Sequence, residues 1–308
     1  MTPVGEILVR EIQASGPITF HRFMSAALYH PEFGYYRKAR DPFGRDGDFF
    51  TAEQVQPVFG ILIAQYIRRL REETLADLPD FQVVELGAGR GEMAEALAEF
   101  GYTGVDVDRG AMPEAFNGVV FANEFFDALP VDVVKRVDGG FIERRVDFSG
   151  DRFLWVDGPA LSGELLAYAE QHAPAAEIFE VNLDALRWMR KIERSLRRGV
   201  LIAIDYGYTQ REAIRFPQGT LMGYRRHTAD EDVLAEPGER DITAHVAFTP
   251  LMHCGLDSMG FETMMQFLMR AGEKDQFATA MAANPQQLKT LLFGMGETFR
   301  VLTLRAGK

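Results

Sequence analysis

From Phe81 onward the chain alternates short, almost continuously apolar runs with turn-rich or helix-like stretches, and this alternation restricts its fold more than any other feature. The runs are "FQVVEL", "YTGVDV", "GVVFANEF" and "GVLIAIDYGY". A strand that is apolar on both faces has to be covered on both faces, which a parallel sheet with crossover helices achieves. "GEMAEALAEFG", after the first run, reads as the first of those helices. The expected class is therefore α/β, with a Rossmann-like sheet.

Residues 1–78 read differently. "VGEILVREIQ" carries a helical apolar stripe, and "PVFGILIAQYIRRLREETL" is a longer amphipathic helix starting at Pro57. Between them "YHPEFGYYRKARDPFGRDGDFF" is too aromatic for an inert linker and too broken for a helix, so it is expected to pack over something. This gives a helical extension at 1–78 and a sheet domain at 79–308. Two insertions interrupt the sheet. The first, about 132–160, alternates with period two around Gly139-Gly140 and Ser149-Gly150, as a small antiparallel meander does. The second, about 210–250, is polar and apparently irregular; loops of that length are commonly functional, and it holds Tyr224, His227 and His245.

The turn after the first strand is G-x-G-x-G, through Gly87, Gly89 and Gly91, with Glu92 where the dinucleotide fingerprint has its third glycine. Glu85, just before the turn, is poorly placed for a pyrophosphate and well placed for a bound ammonium. S-adenosylmethionine carries both an ammonium and a sulfonium and suits this pattern. Asp106 follows Gly87 by nineteen residues, near the ~20-residue spacing at which an acidic residue reaches the ribose of an adenosine cofactor; Asp108 is the near alternative. The same residues also fit a plain tight turn with Asp106 as a cap.

"NEFFDALPV", from Asn123, follows the run "GVVFA" and so falls at the carboxyl edge of the sheet, where open α/β folds bind ligands. One helical turn there would set Glu124 and Asp127 on the same side. Helix capping accounts for Asp127 but leaves Glu124 without a purpose.

Seven stretches, "ALYHPEFGYY", "GRDGDFFT", "ELGAGRG", "NEFFDALPV", "IDYGY", "DITAHVAF" and "MGETFRVL", together resemble the MidA-like family. Its members are S-adenosylmethionine-dependent methyltransferases and include the mitochondrial complex I assembly factor that methylates a protein arginine. The resemblance implies a class I methyltransferase fold with a helical N-terminal extension. It implies cofactor contacts from Glu85, Gly87, Ala88, Gly89, Gly91, Asp106 and Asn123, and from Asp48, Phe49 and Thr51 in "GRDGDFFT", with Phe49 and Phe50 offering aromatic faces to the sulfonium. Compared with the family, the stretch from the first helix to "NEFF" is compressed here, which implies a shorter, more open adenine side.

Methyl transfer asks a protein mainly to align a nucleophile and take its proton. A carboxylate fork matches a guanidinium, which makes Glu124 the first catalytic candidate and Asp127 the second. His245 is a candidate base on the strength of an ordinary histidine pKa, and a buried structural histidine equally well. Tyr206 and Tyr208, at the end of the strongest strand, are candidates for the substrate mouth. No spacing of histidines points to a metal.

Rival readings are a small-molecule O- or N-methyltransferase and an assembly protein without turnover. With 45 acidic against 33 basic residues, the net charge of -12 argues against nucleic acid and anionic membrane as partners. The acceptor is expected to be a protein or a small molecule, and nothing bears on oligomeric state. A single cysteine, Cys254, makes a reducing compartment the default, and "MTPVGEILVREIQASG" has no signal-peptide apolar region. The expected location is cytoplasmic.

Overall fold

The computed structural model describes residues 1–38, 57–225 and 228–307. Asp48, Phe49, Phe50, Thr51 and His227 lie outside the described residues. The chain divides into two compact units. One holds Phe50–Phe126, Trp188–Gly207 and Pro250–Lys308; the other holds Met1–Phe49, Asp127–Arg187 and Tyr208–Thr249. The stretches expected as insertions thus fall with the N-terminal helices in one unit, and the contacts draw no seam at residue 78.

The first unit carries the sheet. Its strands run in the order Asp257–Thr263, Phe299–Ala306, Leu196–Tyr208, Phe116–Asn123, Phe81–Leu86, Tyr102–Val105. The last four are mutually parallel, and Phe299–Ala306 enters antiparallel between Leu196–Tyr208 and Asp257–Thr263. All four apolar runs are therefore strands of one sheet. Val83, Val119, Phe121, Val200, Ile202 and Ile204 pack in one buried cluster with Phe59, Leu62, Ile63, Tyr66 and Ile67 of the helix Val58–Glu73. The helical residues recur at spacings of three and four, which is one face of a helix, and the strand residues alternate, which is one face of a sheet. Each such side chain, taken out of water, contributes about 1.5–3 kcal/mol. Register is fixed at the start of the sheet by Gly118, paired with Gln82: a Cβ there would stand 2.0 Å from the Gln82 carbonyl oxygen.

Two expectations change. "GEMAEALAEFG" is α-helical only over Ala94–Leu97, followed by a 3-10 turn at Ala98–Phe100. Gly91 (φ 88°) and Gly101 (φ 66°) bracket the segment in left-handed conformations, so neither end can extend the helix. Beyond Tyr102–Val105 the sheet path ends, so among the described residues this strand is an edge. The compressed span 106–115 is too short to hold a crossover helix and a further strand.

The second unit is built on a sheet of Ile18–Thr19, Gly140–Ser149, Asp132–Val137 and Ile178–Val181, with Arg152–Ala160 on the free side of Gly140–Ser149. The expected meander is its centre, turning at Gly139 (φ 86°) and Gly150 (φ 67°). Helices Pro3–Ser15 and Phe20–Tyr29 bury Leu8, Phe20, Phe23 and Met24 against Val133 and Val146. The stretch 210–250 is not irregular: Met222–Arg225 pairs antiparallel with Thr228–Asp230 and with Asp241–Thr243. These three strands are only three or four residues long, and Thr228–Asp230 and Asp241–Thr243 are polar at every other position, which hid them from a search for apolar runs.

Candidate functional site

The carboxyl edge of the sheet collects most of the residues that the sequence singled out. Leu86 is paired with Val105 on one side and Ala122 on the other, so Gly87, Asp106 and Asn123 stand level. Asn123 in turn is paired with Ile204, which sets Glu124 level with Asp205.

The glycine turn is anchored to the edge strand through its backbone. Gly87 N and Ala88 N donate to Val105 O at 2.9 and 3.2 Å, and Gly89 N donates to Asp106 Oδ2 at 2.7 Å. Gly87, Gly89 and Gly91 all take positive φ (72°, 49° and 88°). A Cβ on Gly87 would also stand 3.1 Å from the Phe125 ring, so this position needs glycine for both conformation and space. Asp106 spends one carboxylate oxygen on the turn and the other on Val107 N at 2.6 Å.

Glu85 is 5% exposed, and the Tyr102 hydroxyl donates to its Oε2. Burial pushes its carboxyl up to about 7; the Tyr102 hydrogen bond works against that, while the charges of Glu92 and Asp106 add to it. A cation bound beside it would restore the ionised form. Asn123 Oδ1 is buried with no hydrogen-bond partner among the described residues. A glycine cradle, a buried carboxylate short of positive charge and an orphaned acceptor together fit the amino-acid end of S-adenosylmethionine.

"NEFFDALPV" turns without forming a helix. Residues 124–130 hold no helix, and Glu124 adopts φ 52°, a left-handed conformation that is uncommon for any residue but glycine. Tertiary bonds impose it: Glu124 N donates to Ile204 O at 2.9 Å and Phe126 N to Asp205 Oδ2 at 3.0 Å. The helical-turn argument for pairing Glu124 with Asp127 is thereby removed. Glu124 Oε1 accepts from Asn123 Nδ2 at 3.2 Å, and Phe125 meets Trp188 edge to face at 5.2 Å beside the glycine turn. Asp205 is fully buried and accepts from both Phe126 N and Tyr206 N. Asp205 thereby clamps the neighbouring loop to the end of its strand. Tyr206 packs edge to face on Phe299 at 5.4 Å.

Three candidates belong to the other unit. Asp127 is 5% exposed, and its carbonyl accepts from Ala244 N. Tyr208 is 4% exposed and lies against Phe216, the position of a core residue and not of a mouth. His245 has its ring edge-on to Phe216 at 5.0 Å, and burial, then the Arg215 charge, lower it to about 4. The near-neutral pKa on which a role as base rested is therefore absent, because apolar surroundings disfavour the imidazolium. No helix among the described residues is long and apolar enough to cross a membrane.

Comparison with known proteins agrees with this geometry. Residues 101–266 match the family described as "Putative S-adenosyl-L-methionine-dependent methyltransferase". A Burkholderia thailandensis structure with S-adenosyl-homocysteine bound superposes with a TM-score of 0.87 at 30% identity, over 99% of this chain and 92% of that one. The mitochondrial protein arginine methyltransferase NDUFAF7 of Mus musculus is 26% identical, over 99% of this chain and 84% of that one. Its Danio rerio counterpart is 24% identical, over 92% and 80%. The Rossmann-like class I fold, the glycine turn after its first strand and a family match spanning more than half of the 308 residues lead to one conclusion: the chain belongs to this family of S-adenosylmethionine-dependent methyltransferases.

Proposed function

We propose that the protein transfers a methyl group to the guanidinium of an arginine in a protein substrate. The observation that carries the reading is Glu124, held at φ 52° on the same sheet edge as the glycine turn. Left-handed conformations at residues other than glycine cost about 1–3 kcal/mol and cluster at functional sites. The names of the NDUFAF7 relatives support arginine as the acceptor.

In this reading the cofactor, when bound, supplies an electrophilic methyl on a sulfonium. Gly87, Ala88, Gly89 and Gly91 bring backbone close to its methionine end, and Glu85 balances the ammonium. Asp106 keeps the turn in shape and Asn123 Oδ1 accepts a further hydrogen bond. Glu124 orients the guanidinium nitrogen and takes the proton released as the nitrogen–carbon bond forms and the sulfur–carbon bond breaks. His245, neutral and buried, has no part in that proton transfer, and Tyr208 none in the mouth; Tyr206 remains the candidate there. A reducing compartment, the cytoplasm in the reading from Cys254, completes the proposal.

The test is methyl transfer from labelled S-adenosylmethionine to arginine-containing peptides and to small O- and N-nucleophiles. Label recovered as methylarginine after hydrolysis is the expected result. Label on small nucleophiles alone would move the chain to the rival methyltransferase reading.

A further inference from the structure

The glycine turn and the compressed loop 106–115 belong to the same unit, and the amides of the turn are already spent. Gly87 N and Ala88 N donate to Val105 O, Gly89 N to Asp106 Oδ2, Arg90 N to Glu92 Oε2 at 3.1 Å and Gly91 N to Ala88 O at 2.6 Å. No helix N-terminus stands in for them, since Ala94–Leu97 is about one turn long. The amino-acid end of the cofactor carries a carboxylate as well as an ammonium. A carboxylate entering here meets committed amides and the charges of Glu92 and Asp106, so it needs a cationic side chain. The loop brings one. Asp106 N donates to Arg109 O at 2.9 Å and Arg109 N to Asp106 O at 3.3 Å, which folds residues 106–109 back on themselves. Gly110 (φ 68°) then lies so close to the edge strand that a Cβ would stand 2.2 Å from Gly104 O. This tight return holds Arg109 beside the turn, where its Nη2 donates to Ala88 O at 3.4 Å. Its charge reaches Glu85 and Tyr102 as well: burial foremost raises both groups, and Arg109 opposes the rise.

We propose that Arg109 binds the carboxylate of the cofactor's amino-acid end while Glu85 holds its ammonium, so that the two opposite charges select a cofactor whose amino acid is intact. The inference rests on the placement of that end at the glycine turn, stated above. A guanidinium carries five N–H donors in a planar fork and meets a carboxylate through two parallel bonds. Among the described residues Arg109 commits its side chain to one acceptor, a neutral carbonyl at the long end of the hydrogen-bond range, which leaves the fork to a ligand. The residue is exposed, so its charge stays hydrated until the ligand arrives. Asp106, the acid beside it in the loop, directs its two oxygens to Gly89 N and Val107 N and not to the guanidinium.

The experiment is calorimetric titration of the full chain with S-adenosylhomocysteine, its decarboxylated analogue and methylthioadenosine, in wild type, Arg109→Met, Arg109→Lys and Glu85→Gln. The first ligand has both the ammonium and the carboxylate, the second only the ammonium, the third neither. Circular dichroism establishes that each variant is folded. Arg109→Met should weaken S-adenosylhomocysteine roughly tenfold to hundredfold and leave the other two ligands within about twofold of wild type. Arg109→Lys keeps the charge and loses the fork, so it should fall between, and it carries the test should Arg109→Met not fold. Glu85→Gln should weaken the first two ligands alike and spare the third. Equal affinity of wild type and both Arg109 variants for S-adenosylhomocysteine overturns the inference. A loss shared by all three ligands in a folded Arg109 variant also overturns it, because the residue would then serve the adenosine side. If Glu85→Gln still weakens the first two ligands in either case, the placement of the amino-acid end stands and only the part given to Arg109 falls. Wild type that binds no S-adenosylhomocysteine ends both.

Discussion

Glu85 and Asp205 are both buried carboxylates near the carboxyl ends of strands in one sheet, and they are served in opposite ways. Asp205 accepts from two backbone amides, Phe126 N and Tyr206 N. Glu85 accepts from the Tyr102 hydroxyl, and burial still holds it at about 7. A carboxylate saturated by backbone donors fastens the fold; one left partly served is ready for a cation. Burial alone does not separate a structural acid from a binding acid, whereas the supply of donors does.

The largest expected effect lies on the structural side. Asp205→Ala removes the acceptor from two backbone amides, and hydrogen bonds to a charged group are worth about 1.5 to 3 kcal/mol each, so stability should fall by roughly 3 to 6 kcal/mol. Urea unfolding measures it. A loss under about 1 kcal/mol, at the scale of one neutral hydrogen bond, would break the contrast, because Asp205 would then not be a clamp.

On the other side Glu85 should behave as a liability while no cation is bound. Its carboxyl is raised from 4.5 to about 7, so between those values the folded protein holds more protons than the unfolded chain. Stability therefore falls as pH rises through that window and is lowest above 7. At 1.36 kcal/mol per unit the penalty approaches about 3 kcal/mol. His245 works in the opposite sense, since its pKa is lowered to about 4, and Asp132, raised by burial to about 6, works in the same sense. The comparison with Glu85→Gln on the same background cancels both. Without cofactor, Glu85→Gln should be the more stable protein at pH 8 and lose that advantage near pH 4.5; its cofactor affinity should drop. Parallel stability–pH curves for the two proteins would sink the assignment of Glu85 as the cation receptor.

Glu124 sharpens the comparison from a third direction, because it is a carboxylate whose backbone, and not its burial, is strained. Glu124→Gln keeps the shape and removes the charge, which should slow methyl transfer roughly tenfold to hundredfold, or about 1.5 to 3 kcal/mol, with cofactor affinity barely moved. Glu124→Gly should abolish that contribution while gaining about 1 kcal/mol of stability, since φ 52° suits glycine. Full activity in Glu124→Gln takes the residue off the catalytic list.

The sheet was legible because strands buried on both faces write themselves as apolar runs, and the turn after the first strand because three glycines interrupt the chain there. What the sequence hid was set by distant partners. The left-handed Glu124 depends on Ile204 O and Asp205, about 80 residues away in sequence, and no local rule for an i, i+3 pair anticipates them. "DITAHVAF" drew attention to His245 on the strength of an ordinary pKa that burial removes. Asp106 was read toward a ribose from its spacing, yet one of its oxygens holds Gly89 N, a bond that only the folded edge strand creates.

The smallest expected effect tests the mechanism of the contrast itself. The Tyr102 hydroxyl opposes the upward shift of Glu85, so Tyr102→Phe should raise the Glu85 pKa further and leave less of it ionised at pH 7. A single neutral donor is worth about 0.5 to 1.5 kcal/mol, which sets a loss of roughly two- to tenfold in cofactor affinity at pH 7. That loss should shrink at pH 9, where Glu85 is ionised in both proteins, whereas a loss of packing would persist at every pH. Tyr102 and Glu85 share a parallel pair of strands whose register Phe leaves intact, so a pH-independent deficit would mean that Tyr102 shapes the turn and does not tune the carboxylate.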